Sequence, residues 1–184
     1  MRDGRISQTA LRIARIMIYF DADPHYRSLI PPGLVETSRR LLTAAGLHRA
    51  WHRSLYRSRA YGVLVRLADR LVQRGALVHF PLRKRFVEDE VRAAIANGAG
   101  QLLVIGAGLD TLAIRLAAED PALLAVEVDH PATGEAKALG VSEAGLGVDN
   151  LVLVPLDLAL HPLADACGRP RGAGDAAWSW PRGC

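Results

Sequence analysis

The chain has 184 residues, half of them apolar and 23% charged, with 23 Lys and Arg against 19 Asp and Glu and a formal net charge of +4. That composition fits one soluble globular domain with a real core, and no apolar run approaches the ~20 residues of a membrane span. Two cysteines, Cys167 and Cys184, offer neither metal-ligand spacing nor a disulfide framework.

The first ~95 residues read as helical, punctuated at Asp23-Pro24, Pro31-Pro32-Gly33, Gly46 and Gly62. Thr9–Phe20 is apolar, but Arg12 and Arg15 interrupt it and no small-residue cleavage site precedes Asp21. It is an amphipathic helix rather than a signal peptide, and the cytoplasm is the default location. His48 and His52 stand four apart, but Arg49 follows the first and no third ligand is apparent. They read as two surface histidines rather than a zinc site. From Arg39 to Arg85 there are many arginines and one acid, Asp69. Arg49, Arg53 and Arg57 repeat every four residues. So do Arg66, Arg70 and Arg74, opposite the apolar stripe Leu64, Leu67, Ala68, Leu71 and Val72. That is the pattern of a solvated helix face. A phosphate- or RNA-binding patch is the competing reading. The lack of interleaved aromatic residues counts against nucleic acid. Arg83–Asn97 then forms a helix with Val87, Val91, Ala94 and Ile95 on one face and Gly98 as its stop.

The chemistry concentrates in Gln101–Pro131. Two apolar runs, Leu102–Ile105 and Leu123–Val128, read as buried parallel strands. Between them Thr111–Ala118 places Leu112, Ala113, Leu116 and Ala117 at helical spacing. The turn into that helix is Gly106-Ala107-Gly108, and the second strand ends in Asp129. A strand, a glycine turn, a helix, a strand and an acid make the nucleotide half of a Rossmann-like fold. Gly106 and Gly108 let the chain turn sharply and let a ligand lie against the backbone. Asp129 has the spacing of an acid that hydrogen-bonds ribose hydroxyls. Thr111 departs from the third small residue of a dinucleotide fingerprint. Asp110 sits where a pyrophosphate would lie, and its carboxylate repels phosphate but tolerates a cation. S-adenosylmethionine (SAM) has adenosine, no phosphate, and an ammonium and a sulfonium. The residues therefore favour it over NAD, with helix capping a second role for Asp110.

Downstream, His130-Pro131 breaks the chain and Ala132–Leu139 reads as a short helix carrying Lys137. Gly140 to Gly147 is a small-residue loop, Leu151–Val154 a third strand, and Asp157-Leu158 follow it. Glu127, inside the second strand, reads as structural. The tail Gly168–Cys184 has no apolar period.

GAGLDTLAIRL (Gly106–Leu116), VEVDHP (Val126–Pro131) and Lys137, flanked by LRKRFVEDEV (Leu82–Val91) and LVLVPLDL (Leu151–Leu158), resemble the leucine carboxyl methyltransferase-like family of SAM-dependent methyltransferases. The resemblance covers roughly Phe80 to Leu160 and, more loosely, the helical N-terminal part. It implies an α/β, Rossmann-like class I methyltransferase fold, here with its first three strands only. Residues 1–80 would be a helical cap, 81–167 the N-terminal half of the SAM-binding domain, and 168–184 an irregular tail. It implies that Arg83 contacts the methionine carboxylate, a pairing that suits a guanidinium. It implies that Asp157, with the backbone of Leu158 alongside, takes the adenine amino group. Gly106, Ala107, Gly108, Asp110 and Asp129 complete the expected cofactor set, while Lys84 and Arg85 are expected on the surface. The implied activity is O-methylation of a small-molecule or carboxylate acceptor, with no general base assignable. A non-catalytic SAM-binding fragment and an NAD-type oxidoreductase are the alternatives, the latter disfavoured by Asp110 and Thr111. Family members run on for further strands, so a truncated or frame-shifted chain is expected, with residues after about Cys167 unrelated to the family. The first strand would then be an apolar, unpaired edge. That edge, or an apolar face of the helical block, could serve a dimer, although no oligomer is required.

Overall fold

The computed structural model describes residues 6–22, 24–48, 55, 58–72 and 76–164. The tail Gly168–Cys184, both cysteines, His52 and the arginines Arg49, Arg53, Arg57 and Arg74 lie outside the described residues. Helices α1 (Gln8–Ala22), α2 (Pro24–Arg27), α3 (Leu34–Ala44), α4 (Arg59–Val72) and α5 (Ala76–Ala96) precede the alternating segment β1 (Gln101–Ile105), α6 (Leu112–Glu119), β2 (Leu124–Asp129), α7 (Pro131–Glu143) and β3 (Leu151–Pro155).

The three strands form a parallel sheet in the order β1-β2-β3. β2 is central. Its alternate residues Leu124, Val126 and Val128 face Val154 and Leu156 on one side of the sheet. On the other side Ala125 packs against Ala113 and Ala117 of α6, and Leu151 and Leu153 of β3 face Val141 of α7. β2 is buried along its length until Asp129, as a continuous apolar run demands. β1 departs from the buried strand expected of its sequence: Leu103 and Ile105 are 44% and 54% exposed. It pairs with β2 alone among the described residues, so half of its ladder and one of its faces have no cover.

The N-terminal helices build their own core. Met17, Ile18, Tyr19 and Phe20 of α1 pack with Leu34 and Leu42 of α3, and Leu109 of the glycine turn joins them. That shared residue seats the helical block on the mouth of the sheet.

Three boundaries differ from those read in the sequence. α5 starts at Ala76 rather than Arg83 and carries Pro81 inside it. Gly62 is not a break but a buried residue within α4. α7 runs on to Glu143, past Gly140. Gly140 is there for contact: a Cβ on it would lie 2.8 Å from the Leu41 carbonyl oxygen, so α3 and α7 touch at this point. Gly145, at φ +60°, stands just beyond the helix C-cap. On α4 the side chains of Ala68, Leu71 and Val72 from the expected apolar stripe lie outside the described residues, and the packing shown comes from residues beside that stripe. Tyr61 and Val65 pack on the N-terminal core, while Leu64 and Leu67 remain exposed at 61% and 49%. His48 is buried at 7%, against the surface position expected, and its backbone N–H donates to the Leu42 carbonyl.

Candidate cofactor site

A cavity of about 410 Å³ lies between the N-terminal helices and the C-terminal ends of β1 and β2. Its floor is the turn Gly106–Asp110. α1 contributes Ala10, Ile13 and Met17, α5 contributes Arg83, Lys84 and Glu88, and Arg115 and Asp129 close its polar end walls. The C-terminal edge of a parallel sheet is where open α/β folds bind ligands, because strand ends and helix N-termini converge there.

The two glycines of the turn play different parts. Both have positive φ, +66° at Gly106 and +56° at Gly108, which only glycine adopts without strain. A Cβ on Gly106 would meet nothing within 4 Å, so this backbone is open to a ligand. A Cβ on Gly108 would lie 3.0 Å from Ala10 Cβ, so here the close approach belongs to α1, correcting the expectation that both glycines leave room for the ligand.

Asp129 accepts the backbone N–H of Gly108 through Oδ2 and that of His130, at 2.6 Å, through Oδ1. It is half-buried, and a carboxylate has about four acceptor sites, so two remain for further donors. Asp110 accepts the N–H groups of Thr111 (2.6 Å) and Leu112 (3.2 Å) just ahead of α6, whose N-cap residue is Thr111, against the capping role expected of Asp110. Its Oδ2 meets Lys84 Nζ at 2.5 Å. Burial alone would push this carboxyl up. The Lys84 ammonium, then Lys137 and the Thr111 N–H, outweigh burial and hold it below the usual range. Lys84 is thus not the surface residue its sequence suggested. It neutralises the charge that would otherwise stand at the helix start. Arg85 is exposed and donates to the Ser28 carbonyl at 2.8 Å.

Arg83 lines the cavity, is exposed, and makes no hydrogen bond or ion pair with a described residue. None of its five N–H donors has an acceptor among the described residues. At the far wall Arg115 of α6 and Glu88 of α5 form a buried bidentate pair, with Arg115 also donating to the Pro32 carbonyl at 3.0 Å. Burial raises the Glu88 carboxyl, but Arg115 and then Arg92 bring it below its ordinary value. The sequence reading passed over this pair. The available signal was Arg115 itself, a charge among Leu112, Ala113, Ile114 and Leu116 on a helix with no solvated face to spare.

The structure therefore gathers Arg83, Gly106, Ala107, Gly108, Asp110 and Asp129 around one cavity. Asp157 and Leu158 do not line it. They follow β3 on the same sheet edge, where Asp157 faces His130 Nε2 at 3.5 Å and accepts the Ala159 N–H. Glu127 is buried against Lys137 and does not line the cavity.

A family model described as leucine carboxyl methyltransferase matches residues 35–171. The chain belongs to that family. The match takes in α3 to β3, and so includes both the glycine turn and the acid at the end of β2. Members of the leucine carboxyl methyltransferase family use S-adenosyl-L-methionine. Over 88 residues the chain is 36% identical to the Bacillus subtilis (strain 168) protein named "Putative S-adenosyl-L-methionine-dependent methyltransferase YktD". That alignment covers 45% of this chain and 29% of the relative, so the chain spans less than a third of the relative's length in common with it. No solved structure matches the chain.

Proposed function

We propose that the chain binds S-adenosylmethionine in this cavity and serves a methyltransferase that modifies an oxygen of a small-molecule or carboxylate acceptor. The carrying observation is the shared position of an open Gly106 backbone, an Arg83 guanidinium with no acceptor among the described residues and an Asp129 carboxylate with spare acceptor sites. The chemistry of the donors fits the cofactor. Asp129 would hold the ribose hydroxyls, Arg83 the amino-acid carboxylate by two parallel bonds, and Gly106 and Ala107 would line the path between them. Asp110, already paired with Lys84, fixes the turn and offers no bare carboxylate to the ligand. Asp157 and Leu158 are assigned to the base end, on the same sheet edge as Asp129.

The sulfonium supplies a methyl group on an activated leaving group. The protein has to place the acceptor oxygen in line behind that methyl and keep water away. α1 and α3 cover the cavity and provide the exclusion. A carboxylate acceptor would need no base, whereas a hydroxyl would. The test is calorimetric titration of the chain with S-adenosylhomocysteine beside an Asp129→Ala control. Saturable one-to-one binding that the control loses supports the site. No binding by a folded wild-type chain refutes it. Label transfer from SAM to an acceptor would then distinguish an enzyme from a binding module, and binding of NADH in its place would select the oxidoreductase reading.

A further inference from the structure

Lys137 stands in the middle of α7 with 2% of its surface exposed, an environment lysine rarely accepts unpaired. Its ammonium makes two contacts, to Glu127 Oε2 on β2 and to the main-chain carbonyl oxygen of Asp110. Glu127 is itself 3% exposed. Three segments far apart in sequence therefore meet at one nitrogen: the strand that ends in Asp129, the helix that follows it, and the last residue of the glycine turn.

A buried ion pair gains little over an apolar pair of the same volume, because desolvation offsets the attraction. Stability alone does not account for this one. What the pair adds is an ammonium held at a fixed point, with a donor left for a carbonyl. We propose that Lys137 is a positioning residue of the cofactor site: anchored by Glu127, it holds the Asp110 carbonyl and so sets the turn Gly106–Asp110 against the end of β2. Two features of the site depend on that setting. The Gly108 N–H is aimed at Asp129, and the Asp110 carboxylate is aimed at Lys84 on α5. The turn connects β1 to α6 and has glycine at two of its five positions, so its backbone would otherwise sample many conformations.

The inference rests on the cofactor reading for its effect on binding, but not for its effect on the turn. Two measurements keep them apart. The first is amide hydrogen exchange over residues 106–112. The second is affinity for S-adenosylhomocysteine. Lys137→Met alone would strand Glu127 in the interior, so the variant used is Glu127→Gln/Lys137→Met, which removes both charges at nearly constant volume. The expected result is a melting temperature close to wild type, exchange across 106–112 at least tenfold faster, and binding at least tenfold weaker. Glu127→Gln alone removes the anchor and leaves the buried ammonium without its counter-charge, so it is expected to loosen the turn and to lower the melting temperature as well. Unchanged exchange over 106–112 in the double variant, or faster exchange spread equally over β2 and α7, overturns the proposal. A wild-type chain that binds no S-adenosylhomocysteine refutes the cofactor reading, and the exchange comparison still decides the role of Lys137.

Discussion

Gly140→Ala tests whether α3 and α7 meet at backbone distance. On an exposed helix the substitution would stabilise the protein by about 1 kcal/mol, because alanine loses less conformational freedom than glycine. Here the added methyl would lie 2.8 Å from the Leu41 carbonyl oxygen, 2.9 Å from Leu41 Cδ1 and 3.1 Å from Ala45 Cβ. The nearest atom is main chain and cannot swing away, so α3 must shift. Overpacking of this kind costs about 1–3 kcal/mol. Set against the gain of about 1 kcal/mol, the net expectation is a loss of up to about 2 kcal/mol, or up to roughly 8 °C in melting temperature for a domain of this size. Gly134→Ala, on the same helix, supplies the contrast. Its methyl would meet Pro155 at 3.3 Å, a contact that a shift of a few tenths of an ångström relieves. That variant should lie within about 0.5 kcal/mol of wild type. The assay is thermal and urea unfolding followed by far-UV circular dichroism. A Gly140→Ala protein more stable than wild type by about 1 kcal/mol, as at an open helix site, would refute the α3–α7 contact.

Arg115→Met should cost about 3 kcal/mol, because it leaves Glu88 buried with only the half-exposed Arg92 as partner, while Glu88→Gln/Arg115→Met should recover most of that loss; urea unfolding of both decides it. Acid should destabilise the fold through Glu88 and Asp110. Both carboxyls are held below their ordinary 4.5 and 3.8, so their contribution is complete above those values and is lost as pH falls through the lower folded-state values. Melting temperature should therefore drop below about pH 4.5, and Glu88→Gln should flatten that limb; an unchanged slope would remove Glu88 as a cause. Arg83→Ala should weaken S-adenosylhomocysteine binding about tenfold or more, with Arg83→Lys recovering part of it, since a charged hydrogen bond contributes about 1.5–3 kcal/mol and lysine lacks the fork. Its circular dichroism should not change.

The strands, the glycine turn and Asp129 were legible in the sequence because each rests on a local rule. Apolar runs bounded by turns give strands, and positive φ requires glycine. The helix limits were less legible. The sequence pattern starts α5 at Arg83 and ends α7 before Gly140, yet α5 runs back through Pro81 and the Leu41 contact leaves room in α7 only for glycine at position 140. Lys84, Arg115 and Lys137 were hardest to read. Nothing local distinguishes Lys84 from Arg85, its neighbour on α5, and only the folded chain shows that one reaches Asp110 and the other Ser28. Ion pairs that join residues 26 or 27 positions apart leave no periodic trace.

The contact between Ala10 and Gly108 ties together the first helix and the glycine turn by size alone. The Ala10 methyl already fills the space beside the turn, so a larger side chain at position 10 must be met by movement of α1 away from it. Gly108 is held by its φ of +56° as well as by this approach, so the requirement that the pair adds falls on position 10, which must stay small. A substitution at Ala10 in this lineage would be felt first as a change in how readily the mouth of the cavity opens, before any change in the residues that face the ligand.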